Sequence, residues 1–146
     1  MATKKVSRSV VIAAPAEKIF DVLASPHRHP EFDGSGTVKG QIRGPERLEL
    51  GAEFGMDMRL GVGYRITNRV VEFAPDRLIT WRHFGPHRWR WELEPLPDGT
   101  TRVTETFDYS ASRVAFAYQL AGLPSRNARS IEQTLPRLKH LVEDAA

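Results

Sequence analysis

The chain has 146 residues, 40% hydrophobic and 27% charged, with a formal net charge of +3 and no cysteine. That length suits one domain, residues 1–146, burying roughly two thirds of the surface its unfolded form exposes. The lack of cysteine excludes disulfides, thiolate metal sites and cysteine nucleophiles, and the small, dispersed positive charge lacks the basic tail or stripe of a nucleic-acid binder. No stretch approaches the roughly 20 apolar residues of a membrane span, so no stable membrane insertion is expected. Met1 to Lys5 leads into strand-like alternation instead of an apolar run, which argues against a secretory signal and for a cytoplasmic location.

In chain order, Val6 to Ile12 reads as a strand that Ala13-Ala14-Pro15 stops, with proline suited to a first helical turn. A helix is predicted over Ala16 to Ala24, where Ile19, Phe20 and Leu23 share one face and Glu17, Lys18 and Asp21 face water. A second short helical turn is read over His27 to Phe32, and Asp33-Gly34-Ser35-Gly36 connects it to the next strand. Six strands follow, at about 37–43, 51–60, 63–73, 77–84, 87–95 and 101–109, and each join carries glycine, proline or aspartate suited to a turn. Joins this short favour antiparallel neighbours, since a parallel crossover needs about a dozen residues or more.

Period-two alternation sorts these strands into two faces. One is apolar: Phe54, Met56, Met58, Tyr64, Ile66, Val70, Ile79, Trp81, Trp89, Trp91, Leu93, Val103, Phe107 and Tyr109. The other interleaves Arg59, Arg65, Arg69, Arg82, Arg88, Arg90 and Arg102 with Glu53, Asp57, Glu92, Glu94 and Asp108, and reads as a solvated, salt-bridged surface and not a site for nucleic acid.

The last third changes period. Val114, Tyr118 and Ala121 predict a short helix ending at Gly122-Leu123-Pro124, and Ile131, Leu135, Leu138 and Val142 then form an i, i+4, i+7, i+11 stripe that needs a large apolar partner. Only the apolar sheet face is large enough. Pro136 lies within this helix and is expected to kink it.

This order of elements resembles the START-like or SRPBCC superfamily, particularly its polyketide cyclase/dehydrase-like branch. The resemblance spans nearly the whole chain and rests on three segments. These are Val11-Ile12-Ala13-Ala14-Pro15-Ala16-Glu17-Lys18-Ile19-Phe20-Asp21-Val22-Leu23, Val70-Val71-Glu72-Phe73-Ala74-Pro75-Asp76-Arg77-Leu78-Ile79-Thr80-Trp81 and Leu135-Pro136-Arg137-Leu138-Lys139. It implies an α+β helix-grip fold: a seven-stranded curved antiparallel sheet wrapped around a long C-terminal helix, with two short helices after the first strand. It also implies a cavity between sheet and helix of the kind relatives use for lipids, hormones and polyketides. Pro136 departs from the branch, where a helix former is expected. None of the three segments is a catalytic signature, and fold likeness alone assigns no chemistry.

The expected ligand is therefore a small hydrophobic or amphipathic molecule. Its wall comprises Phe54, Met56, Met58, Tyr64, Ile66, Asn68, Trp81, Trp89, Trp91, Phe107, Tyr118, Ile131 and Leu135. Ordinary core packing accounts equally well for the methionines and tryptophans. Three polar residues share the apolar phase. Glu105 lies between Val103 and Phe107, where burial would raise its pKa and suit it to acid/base work with His83 as partner; Asn68 and Tyr64 could donate to an oxyanion.

Structural alternatives weigh more for each polar residue taken singly. A β-bulge near Thr104 would turn Glu105 to solvent, His83 would cover a strand end beside Gly85-Pro86, and Asn68 would satisfy a backbone group. His27-Arg28-His29 lacks the carboxylates to complete a metal site, so neither metal nor cofactor is expected. Three functions stay open: ligand binding, a cyclase or dehydratase activity using Glu105 and His83, and a regulatory or stress role exercised through the surface. The expected assembly is a monomer or homodimer.

Overall fold

The computed structural model describes residues 5–33, 38–60, 62–82, 88–109 and 123–144, without the side chains of 38–41, 56–60, 62–66 and 123–126. Its elements are β1 (Lys5–Ile12), α1 (Ala16–Leu23), a 3₁₀ helix (Pro26–Glu31), β2 (Val38–Arg43), β3 (Glu53–Leu60), β4 (Val62–Ala74), β5 (Leu78–Arg82), β6 (Arg88–Pro95), β7 (Thr101–Asp108) and α2 (Leu123–Asp144). The strands form one antiparallel sheet in the order β1-β7-β6-β5-β4-β3-β2. Among the described strands, only the β1–β7 pairing joins strands distant in sequence; the other neighbours follow one another along the chain.

Local chemistry explains the helix starts and stops. The Pro15 carbonyl accepts from the Lys18 and Ile19 amides at 3.1 and 3.4 Å, opening α1 without a side-chain cap. The Ala24 amide returns to the Phe20 carbonyl and the Ser25 hydroxyl donates to the Asp21 carbonyl, closing it. The buried face of α1 contains Ile19, Phe20 and Leu23, as the spacing predicts. Proline opens the 3₁₀ helix too, at Pro26.

One difference from the sequence reading concerns the start of α2. It begins at Leu123, so Leu123-Pro124 forms the first turn and not the break ahead of the helix. A proline belongs there because the first-turn amide has no intrahelical partner to lose. The helix also continues past the exposed Pro136 to Asp144. Ile131, Leu135, Leu138 and Val142 are all buried, and burying a leucine-sized side chain stabilises by about 1.5–3 kcal/mol. The helix in the 114–121 segment lies outside the described residues.

Polar staples fix α2 across β1. The Lys139 ammonium donates to the Val11 carbonyl at 3.0 Å, Glu143 accepts from the Ala13 amide at 2.8 Å, and Arg8 donates to Glu132 at 3.1 Å. Arg137 reaches the Asp33 carbonyl at 2.8 Å, tying the helix to the segment after the 3₁₀ turn. The helix is thereby held across one end of the sheet, over its apolar face.

Register shifts occur between Lys39 and Ile42 in β2 and between Val70 and Glu72 in β4. The second changes which parity faces the core. Asn68 and Val70 point inward before it, and Phe73 does so after it, with its ring 5.5 Å from that of Phe20. The expected bulge near Thr104 is absent. β7 pairs with β1 from Lys5↔Asp108 to Ile12↔Thr101 and with β6 from Arg88↔Asp108 to Pro95↔Thr101 without a break.

Candidate functional site

Regular pairing on both sides of β7 keeps its alternation intact, so Val103, Glu105, Phe107 and Tyr109 all face the core. Glu105 is 6% exposed, and the reading that turned it to solvent is overturned. Burial pushes its carboxyl well above the usual carboxylate range, and the negative charge of nearby Asp33 adds to the effect. Its Oε1 has no hydrogen-bond partner among the described residues. This setting favours the protonated form of the carboxyl.

Opposite Glu105 on β6 stands Trp91, its register partner, 1% exposed and with Nε1 also unpartnered. On β4, Asn68 faces the same interior, opposite Phe54 of β3, and its Nδ2 is unpartnered. The Asn68 amide nitrogen thus meets no backbone acceptor among the described residues. Buried polar atoms without partners typically cost about 1–3 kcal/mol each. In the opposite phase of the sheet, Thr80 Oγ1 also has no hydrogen-bond partner among the described residues, while Arg90 Nε faces the carboxylates of Glu92 at 3.4 Å and Glu72 at 4.0 Å.

Aromatic rings connect these polar groups. Trp81 lies 6.4 Å from Trp91 and 5.4 Å from Phe54, centroid to centroid, and Phe32 meets Trp91 edge-on at 6.1 Å. Half-buried Trp89 packs on Phe107 at 4.9 Å, and Phe107 stacks with Tyr109 at 5.6 Å. Ile131 and Leu135 of α2 are buried, as expected.

His29 was not among the wall residues read from the sequence. It is buried, stacked on Trp81 at 4.9 Å and edge-on to Phe54 at 5.3 Å. Its Nε2 lies 2.8 Å from the Leu23 carbonyl, and because a carbonyl only accepts, Nε2 carries the proton. Burial lowers the His29 pKa to about 4, against the opposing pull of that hydrogen bond, and the neighbouring His27 charge lowers it slightly further. His27 turns instead to the Gly44 carbonyl at 3.2 Å. The spacing of three between His29 and Phe32 is the signal that places both rings on one face of a 3₁₀ turn.

Met56, Met58, Tyr64 and Ile66 occupy register positions Met56↔Ile66 and Met58↔Tyr64 on β3 and β4, and their side chains lie outside the described residues. So do His83 and Tyr118. A groove lined by Arg77, Arg90, Glu92, Glu94 and Arg102 lies on the opposite sheet face, where Arg102 pairs with Glu94 at 2.7 Å and Arg90 with Glu92 at 3.4 Å. Among the described residues, no group of three histidine, aspartate or glutamate side chains is placed to hold a metal ion, and no helix is long and apolar enough to cross a membrane.

The sequence pattern of the family described as "Polyketide cyclase / dehydrase and lipid transport" matches residues 3–143. The chain belongs to that family. An uncharacterised protein of Mycobacterium tuberculosis, Rv0088, is 48% identical over 139 residues, covering 92% of this chain and 62% of that protein. The chain thus spans less than two thirds of that relative's length.

Solved structures carry the same START-like, helix-grip fold at low identity. Protein NE0264 from Nitrosomonas europaea superposes with a TM-score of 0.74 at 17% identity, covering 99% of this chain and 97% of that one. The Polyketide_cyc-like protein Cgl2372 from Corynebacterium glutamicum gives 0.65 at 19%, covering 99% and 94%. The Aha1 dimer from Colwellia psychrerythraea gives 0.64 at 20%, covering 98% and 97%.

Proposed function

We propose that residues 1–146 act as one ligand-binding domain that takes a small hydrophobic or amphipathic molecule between the sheet and α2. The observation carrying this reading is the set of three buried polar atoms on one sheet face, Asn68 Nδ2, Trp91 Nε1 and Glu105 Oε1, that have no partner among the described residues and lie among aromatic rings. Polar groups left unsatisfied in an apolar wall are what a guest with a few polar atoms completes. At about 25 cal/mol per Å², a few hundred Å² of buried ligand surface supplies several kcal/mol before ordering costs, enough for micromolar binding. We place this activity in the cytoplasm and assign it to a monomer or homodimer; the Colwellia relative is described as a dimer.

The test is native mass spectrometry of freshly purified protein, followed by denaturation and identification of what is released. A stoichiometric apolar passenger supports the reading. Failure of every hydrophobic ligand, together with an interior fully packed by the protein's own side chains, rejects it.

A second reading is favoured by Glu105 alone. A neutral carboxyl in an apolar interior can give a proton to a substrate oxygen and recover it, the step a cyclase or dehydratase of polyketide-like substrates requires. Turnover that disappears in Glu105→Gln while binding persists would distinguish this enzyme from a carrier.

A further inference from the structure

β6 and β7 run in unbroken antiparallel register, which makes Trp91 and Glu105 cross-strand neighbours on the core face. Side chains directly opposite on one face have Cβ atoms about 4.5–5.5 Å apart. Both side chains are more than nine-tenths buried, and each keeps one polar atom with no partner among the described residues. The two atoms differ in chemistry. The indole N–H of Trp91 only donates, whereas a neutral Glu105 carboxyl donates through O–H and accepts through its carbonyl oxygen.

Neighbouring charge narrows what can bind beside them. Asp33 lies close enough to Glu105 to act on it electrostatically, whereas the arginines of β6 and β7, Arg88, Arg90 and Arg102, occupy the opposite phase of the sheet. A ligand carboxylate placed against Glu105 would lose its own hydration inside an apolar wall, with the arginines of these two strands in the opposite phase of the sheet. A hydroxyl or keto oxygen accepts from Trp91 and exchanges a hydrogen bond with Glu105 at no such cost.

We propose that Trp91 and Glu105 form a two-point anchor for an uncharged hydroxyl or carbonyl oxygen of the ligand, and that this anchor discriminates against a carboxylate at that end. The inference rests on the binding reading above. It makes Trp91 and Glu105 specificity-determining residues whether or not any turnover follows.

The test measures binding of three matched probes, naphthalene, 2-naphthol and 2-naphthoate, to the whole chain at pH 7 by calorimetry. The wild type is expected to bind 2-naphthol about tenfold more tightly than either of the others, the scale of one to two net hydrogen bonds. Trp91→Phe keeps a ring but removes the donor, and Glu105→Leu replaces the carboxyl with an apolar side chain of similar reach. Each, once shown folded by circular dichroism, is expected to cut the ratio of 2-naphthol to naphthalene affinity at least threefold. Equal affinity for all three probes, tighter 2-naphthoate, or an advantage untouched by both substitutions overturns the anchor and leaves the binding reading standing. Absence of binding by any probe counts against both.

Discussion

His29 and Trp81 are stacked, with ring centroids 4.9 Å apart and planes inclined by 23°. The 3₁₀ helix thus places an imidazole against the central strands of the sheet, and the Leu23 carbonyl fixes which nitrogen bears the proton. That leaves Nδ1 as the acceptor nitrogen of a ring held neutral.

The pH dependence of stability should report this. The unfolded chain protonates His29 near 6.5, whereas the folded chain refuses the proton until about pH 4. The stabilisation from neutral His29 is therefore complete above pH 6.5 and is lost as pH falls from 6.5 towards 4. His29→Phe is expected to flatten that part of the profile relative to wild type in urea titrations. It should also lower stability at pH 7 by about 1 kcal/mol through loss of the Leu23 bond. Parallel profiles for the two proteins would contradict the assignment.

Glu105 should act in the opposite direction. Its folded pKa is raised, so its contribution is complete below the ordinary carboxylate value of 4.5 and declines as pH rises towards the folded value. Glu105→Gln, which never ionises, should gain melting temperature relative to wild type as pH increases above 4.5. The same difference at pH 4 and pH 8 would show that Glu105 is not held neutral.

Gly44 adopts a φ of +146°, and an added Cβ would lie 2.8 Å from the Cβ of Phe54 and 3.1 Å from its Cα. Neither contact can be relieved by turning a flexible side chain. Gly44→Ala is expected to cost about 1–3 kcal/mol, read as a lower urea midpoint, and to disturb the Phe54 edge of the aromatic cluster. An unchanged midpoint would mean that the β2–β3 connection can shift freely.

On α2, Leu138 is fully buried and Gln133 is exposed. Leu138→Ala should cost about 2–5 kcal/mol, while Gln133→Ala should stay within about 0.5 kcal/mol. Equal effects in chemical denaturation would place the packed face of α2 elsewhere.

The core-facing strand residues and the buried stripe of α2 were legible because each depends on a strong repeating signal, whereas the pairing of β1 with β7 was not read from the sequence. Period-two alternation identified Phe54, Trp81, Trp91 and Phe107, and helical spacing identified Ile131, Leu135, Leu138 and Val142. The inward position of Glu105 was only one of two readings, since alternation survives only if no residue is inserted. Two inserted registers do occur, but at Lys39/Ile42 and Val70/Glu72, where nothing in the local sequence distinguishes them from Thr104. His29 was missed for another reason. Its role depends on a carbonyl from α1 and rings from β3 and β5, a meeting that tertiary structure creates and no local repeat encodes.

The pairing of β1 with β7 has a consequence for how the chain is made. Ser7 and Thr106 exchange a side-chain hydrogen bond across 99 positions. At a synthesis rate of about 5–20 residues per second, β1 emerges about 5–20 s before its partner strand is complete. Until then it is an unpaired strand of the kind that seeks foreign edges. Closing so long a loop is also among the slower steps available to a small domain. The nascent chain should therefore depend on ribosome-associated holdases over that interval, and refolding from denaturant should slow or yield aggregates as concentration rises.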